Sequence, residues 1–193
     1  MLNAIVMAIA AAACCATSAA QAQGLTRAQV TGGIYCCQAP TADYLDTVLV
    51  TATVGPEVEF PNGSFRQTGG LVPIPVTIDV GSSTIDIDYN ASRVSVGGAF
   101  NGYVPDFSGA PMITGVSLDP LSTLTPTSLT WDANSVFINV ASQRLPLDSR
   151  ILINVLAVPE PAIFAMMLDG IGLLGFYGWR RGRSPLEGGR RMA

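Results

Sequence analysis

Histidine is absent from the 193 residues, lysine is absent too, and charged residues make up only 12% of the chain. Without histidine there is no Ser-His-Asp or Cys-His nucleophilic machinery and no His-ligated zinc or haem. Without lysine there is no Schiff-base chemistry and no phosphate-cradling Walker lysine. Any acid–base work would fall to Asp, Glu, Tyr or Cys. Cysteine is scarce, with four in all, and two of them (Cys14 and Cys15) lie in the N-terminal apolar stretch. No catalytic residue, metal site or cofactor is expected from this inventory.

Charge is distributed unevenly. Residues 23–161 hold five Arg (Arg27, Arg66, Arg93, Arg144, Arg150) against twelve Asp or Glu, a net −7. Residues 180–193 hold five Arg against Glu187, a net +4. An acidic body with no basic patch has nothing to offer a phosphate backbone, so nucleic acid is not an expected partner.

The two ends read as addresses. Residues 4–13 (AIVMAIAAAA) are an apolar run of leader length, followed by Ala20-Gln21-Ala22. Small residues three and one before a cut are what a signal peptidase requires, which places cleavage between Ala22 and Gln23 and makes residues 1–22 a signal peptide. No Arg precedes Arg27, so only the amino terminus supplies positive charge ahead of this run. Ala11-Ala12-Ala13-Cys14 is a faint lipobox alternative, and a buried Ala-rich helix is another.

At the other end, Ala162 to Trp179 is an 18-residue, mostly apolar run. As a helix it would be about 27 Å long, just enough to cross a hydrocarbon core. Arg180, Arg181 and Arg183 follow, a stop that holds this end in the cytoplasm. The implied topology is an exported body, one inner-membrane span at 162–179 and a short cytoplasmic tail at 184–193. The span is marginal. Seven Leu, Ile and Phe residues each favour insertion by about 0.3–0.6 kcal/mol, and Asp169 opposes it by about 2.5–3.5 kcal/mol. Ahead of the run stands Val158-Pro159-Glu160-Pro161. Two prolines bracketing an acid keep that strip extended and outside any helix.

Val-Pro-Glu-Pro, an apolar Gly-rich run and Arg-Arg-Gly-Arg, in that order over residues 158–183, resemble the PEP-CTERM sorting signal. The resemblance implies export by a Gram-negative, exopolysaccharide-producing bacterium. It implies that a membrane-embedded exosortase recognises Pro159, Glu160 and Pro161 and removes the tail, with Arg180 and Arg181 as the stop. The protein would then pass to the cell surface or extracellular matrix. Asp169 departs from the small or apolar residue usual there, and the tail after Arg183 is longer than usual.

Residues 23–157 show short alternating runs separated by Gly, Pro, Asn and Ser, with no long helical period. In 84–89, Ile85, Ile87 and Tyr89 share one face while Asp86 and Asp88 share the other; in 135–140, Val136, Ile138 and Val140 share a face. Arg150–Val158 is apolar on both faces and reads as a central strand. With 46–54, 74–80, 93–97, 113–118 and 127–131, eight strands are predicted, giving a mainly β fold: an antiparallel sandwich or related barrel, flanked by a signal helix and one transmembrane helix. Residues 27–46 are the least readable. The segments 53–60, 100–103 and 131–135 resemble ones common in exported domains bearing this tail, which supports the β reading and adds no chemistry.

Candidate sites within the body compete with ordinary structural roles. Asp86-x-Asp88-x-Asn90 has the opening spacing of a calcium loop but lacks its glycine, and a solvated strand face suits it better. Asp132-x-Asn134 suits turn capping. Glu57 and Glu59 are spaced to share one strand face and could serve glycoside hydrolysis. Cys36-Cys37 could close a ring disulfide or remain free. Tyr35, Tyr44, Tyr89, Tyr103 and Trp131 could line a sugar-binding face, although strand aromatics more often pack in a core. The Ser/Thr-rich stretch 122–130 could accept glycans. An interaction or matrix protein is therefore the leading expectation. An exopolysaccharide-binding module is the alternative, and a carboxylate-dependent glycan hydrolase the second.

Overall fold

The computed structural model describes residues 24–158. The leader, with Ala20, Ala22 and Gln23, and residues 159–193, with the candidate span and the Arg stop, lie outside the described residues. Thirteen strands follow in order: β1 (Gln29–Gly32), β2 (Ile34–Cys37), β3 (Val50–Thr53), β4 (Val76–Val80), β5 (Thr84–Tyr89), β6 (Arg93–Val94), β7 (Phe100–Tyr103), β8 (Asp106–Ser108), β9 (Met112–Leu118), β10 (Ser128–Trp131), β11 (Val136–Asn139), β12 (Arg144–Leu145) and β13 (Arg150–Val158). One 3₁₀ turn, Ala42–Tyr44, joins them. No helix among the described residues is long and apolar enough to cross a membrane.

The strands form antiparallel sheets with orders β4-β5-β13-β9, β10-β11-β7-β2, β3-β1-β8 and β12-β6. None closes on itself, so of the two predicted architectures the barrel does not form among the described residues. Apolar residues from the first three sheets meet in one core. Ile78, Ile85, Ile87, Ile151 and Ile153 come from the β4-β5-β13-β9 side, and Val30, Ile34, Tyr103, Phe107, Val136 and Ile138 from the others. The Tyr89 and Tyr103 rings, one from each of the two four-stranded sheets, lie with centroids 6.4 Å apart.

The alternation read in 84–89 is realised: Ile85, Ile87 and Tyr89 are buried, and Asp88 on the opposite face is exposed. β13 is central, paired with β5 over residues 150–154 and with β9 over 153–158. The predicted strands at 46–54 and 93–97 shrink to β3 and β6. Five strands, β1, β2, β7, β8 and β12, fall where none was placed. β7 shows why: Phe100-Asn101-Gly102-Tyr103 is buried at every position, so no polar face alternates with an apolar one.

That burial of Asn101 is balanced by a closed polar network. The Asn101 backbone N–H donates to Asn139 Oδ1 (3.1 Å), as does the Ala141 N–H (3.0 Å), and Asn139 Nδ2 donates to the Ala99 carbonyl (3.0 Å). Asn101 Nδ2 in turn donates to the Val96 carbonyl (3.0 Å). Each buried polar atom named has a partner, which makes its burial affordable. Gly102 is required beside it, because a Cβ there would fall onto the Ile138 carbonyl.

Candidate functional site

Within the body, the predicted site residues separate rather than converge. Asp86 is taken by Arg150, whose Nε donates to Oδ1 at 2.7 Å and whose Nη2 pairs with Oδ2. The register explains the pairing, since Arg150 stands opposite Asp88 and diagonal to Asp86 across β13 and β5. Asn90 Nδ2 donates to Thr77 Oγ1 at 2.8 Å, so the Asp86-x-Asp88-x-Asn90 spacing does not fold into a loop. Partial burial and then the negative charge of Asp86 push the Asp88 carboxyl above the ordinary aspartate range, only partly offset by Arg150. Among the described residues no group of three His, Cys, Asp or Glu side chains gathers into a metal-sized cluster.

Asp132 is a turn cap. Its Oδ1 accepts from the Asn134 N–H (2.9 Å) and the Ser135 N–H (2.7 Å). The expectation that Glu57 and Glu59 share a strand face is corrected. Neither lies in a strand; Glu57 is exposed, and Glu59 is buried. Glu59 Oε1 accepts from the Gly55 N–H (2.9 Å) and Oε2 from the Val80 N–H (2.7 Å). With one backbone N–H on each oxygen, Glu59 fastens the β3–β4 connection to the end of β4. Pro56 stands just before the two acids, where the connection bends and the strand pattern stops.

The aromatics do not assemble on one surface. Tyr89 and Tyr103 are core residues, and burial pushes both phenols well above their usual range. Tyr35 is half-buried, Tyr44 donates from its hydroxyl to Gln38 Oε1 (3.3 Å), and Trp131 is exposed at the end of β10. Cys36 and Cys37, left open above, are disulfide-bonded to each other within β2. Near them a cavity of ≈ 240 Å³ is lined by Ile34, Cys36, Leu71, Val94, Arg93 and Tyr103. It brings together one cation, Arg93, and one acid, Asp46, among mostly apolar walls, so its lining offers no pair of acids for glycoside cleavage.

What remains is the exit from β13. Its last two residues, Ala157 and Val158, pair with Ile113 and Met112 of β9 after a bulge between Leu156 and Ala157. The chain then enters Pro159-Glu160-Pro161 directly. Val158 is thus at once the last ladder residue and the first residue of the motif; Pro159, Glu160, Pro161, Arg180, Arg181 and Arg183 lie outside the described residues. No curated protein and no solved structure matches the chain. One family does: residues 157–183 match the PEP-CTERM protein-sorting motif, and the chain is an exported, surface-directed protein that carries this motif for processing by an exosortase-type enzyme.

Proposed function

We propose that the protein is a surface or matrix component: a β-domain delivered through two processing signals and used for binding rather than for catalysis. A signal peptidase removes residues 1–22. The body crosses into the periplasm and is held for a time by residues 162–179, with Arg180, Arg181 and Arg183 inside. An exosortase then cuts at Pro159-Glu160-Pro161 and releases the body to the cell surface or extracellular matrix. The observation that carries this reading is the match at residues 157–183, which begins in the last two residues of β13. Asp169, which weakens the span by about as much as its apolar residues strengthen it, suits an anchor held only until processing. The lack of histidine and lysine and the engagement of Glu59 with backbone support a non-enzymatic body.

Intact mass of the protein purified from its native host, with and without the exosortase, tests the scheme. The expected wild-type species lacks both ends, with termini near Gln23 and Glu160, and the exosortase-free strain retains the tail. A tail retained in both strains would make residues 162–179 a plain anchor. An unprocessed leader would remove the export reading.

A further inference from the structure

One stretch of the body carries no charge on either of two paired strands. Residues 107–118 and 151–159 contain no Asp, Glu or Arg, although the body as a whole is strongly acidic. These segments are β9 and β13 with their flanks, and their paired ends are where the chain leaves the fold. Along β13 the side chains of Ile151, Ile153 and Val155 point into the core. By alternation Leu152, Leu156 and Val158 share the opposite, outer face. Leu152 is buried, whereas Leu156 is 63% and Val158 42% exposed. Met112 stands directly across from Val158 and is 38% exposed, so it belongs to the same outer face. Three sizeable apolar side chains thus cluster, uncovered, at an uncharged rim.

Chain length fixes what that rim can meet. From Val158 to Ala162, the first residue of the apolar run, there are four residue steps, at most about 14 Å when fully extended. The headgroup layer on each side of the hydrocarbon is about 5–8 Å deep. If residues 162–179 span, Val158 is tethered within or just above that layer. An uncharged rim loses no ion hydration on entering it, and apolar side chains gain from leaving water. We propose that Met112, Leu156 and Val158 form a lipid-facing foot that seats the body on the bilayer while the tail is intact. The proposal rests on the spanning role given above to residues 162–179.

The test uses the full chain in vesicles of phosphatidylethanolamine and phosphatidylglycerol, with a photo-crosslinking phenylalanine at Met112 or Leu156. The control position is Val72, 81% exposed in the β3–β4 connection. All three are surface positions, so the core stays intact. The expected result is several-fold more lipid adduct at 112 and 156 than at 72, read by mass. Equal adduct at the three positions in protein that floats with the vesicles would overturn the foot and leave the span standing. An adduct with the mass of a second copy would replace the foot with self-association. Failure of the chain to float with vesicles at all would remove the spanning reading, and the foot with it.

Discussion

The two four-stranded sheets are built by different means. β4-β5-β13-β9 is held by alternation: Val76, Ile78 and Val80 face Ile85 and Ile87, then Ile151 and Ile153, across in-register ladders. On β4 and β5 its outer face is acidic, with Asp79 opposite Asp86 and Arg150 bound to Asp86. β10-β11-β7-β2 shares the same core but is pinned by the Asn101–Asn139 network and by a glycine against a carbonyl. The first sheet draws its stability from many replaceable contacts. The second depends on a few atoms with no substitute, so single changes should discriminate sharply between them.

The largest expected effect is at Gly102. A Cβ there collides with backbone, which no side-chain rotamer can relieve, so Gly102→Ala should cost about 3 kcal/mol or more. Gly115 in β9 is the matched control. Its added Cβ meets only the Leu156 side chain, at 3.8 Å, an ordinary contact. Gly115→Ala should leave stability within about 0.5 kcal/mol, since a strand position tolerates Ala better than Gly. Urea melts of the two variants check the contrast; similar losses in both would mean that β7 and β11 can separate to make room.

Next is Asn139. Asn139→Leu keeps the branching of the side chain at a larger volume, but strands the Asn101 and Ala141 N–H groups in the interior. Each unsatisfied group costs about 1–3 kcal/mol, so a loss of about 2–4 kcal/mol is expected after partial relaxation. Ile153→Val, the comparable trim in the other sheet, should cost about 0.5–1.5 kcal/mol. If Asn139→Leu proves no worse than Ile153→Val, the polar network is not what holds the second sheet.

The same contrast explains what could be read from the chain alone. Strands of the first sheet announced themselves because Ile85, Asp86, Ile87, Asp88 and Tyr89 alternate, and because Arg150–Val158 is apolar throughout. β7 gave no period: its asparagine is inside, and the side chain that receives its N–H, Asn139, lies 38 residues on, while the nearer partner, the Val96 carbonyl, belongs to no strand. The one local signal was Gly102 within an aromatic pair, since a glycine inside a strand marks close backbone approach. Glu59 misled for a related reason. Its spacing from Glu57 fits a shared face, but its partner Val80 lies 21 residues on, at the end of a strand no local pattern could link to it. The sorting motif was legible in full because its three parts are contiguous and need no tertiary partner to be recognised.

The smallest effect belongs to the acidic face of the first sheet, and its sign is set by Asp88. Folding raises the Asp88 carboxyl above its ordinary range, through burial and then Asp86. A folded state that holds its proton more tightly than the unfolded one loses stability as pH climbs from below the ordinary aspartate value to above the raised one. Asp88→Asn removes that loss. The variant should match the wild type near pH 3 and exceed it at pH 7. Asp88 is solvent-exposed, so screening holds the gain to at most about 0.5 kcal/mol. Arg150→Met should shift the balance the other way, leaving Asp86 and Asp88 facing each other without their shared cation and destabilising more at pH 7 than at pH 3. Thermal melts of both variants at the two pH values decide the matter. A gain for Asp88→Asn that is equal at both would show that packing, not charge, sets the balance on this face. The second sheet, whose network contains no ionisable group, should give the Asn139→Leu loss unchanged across the same range.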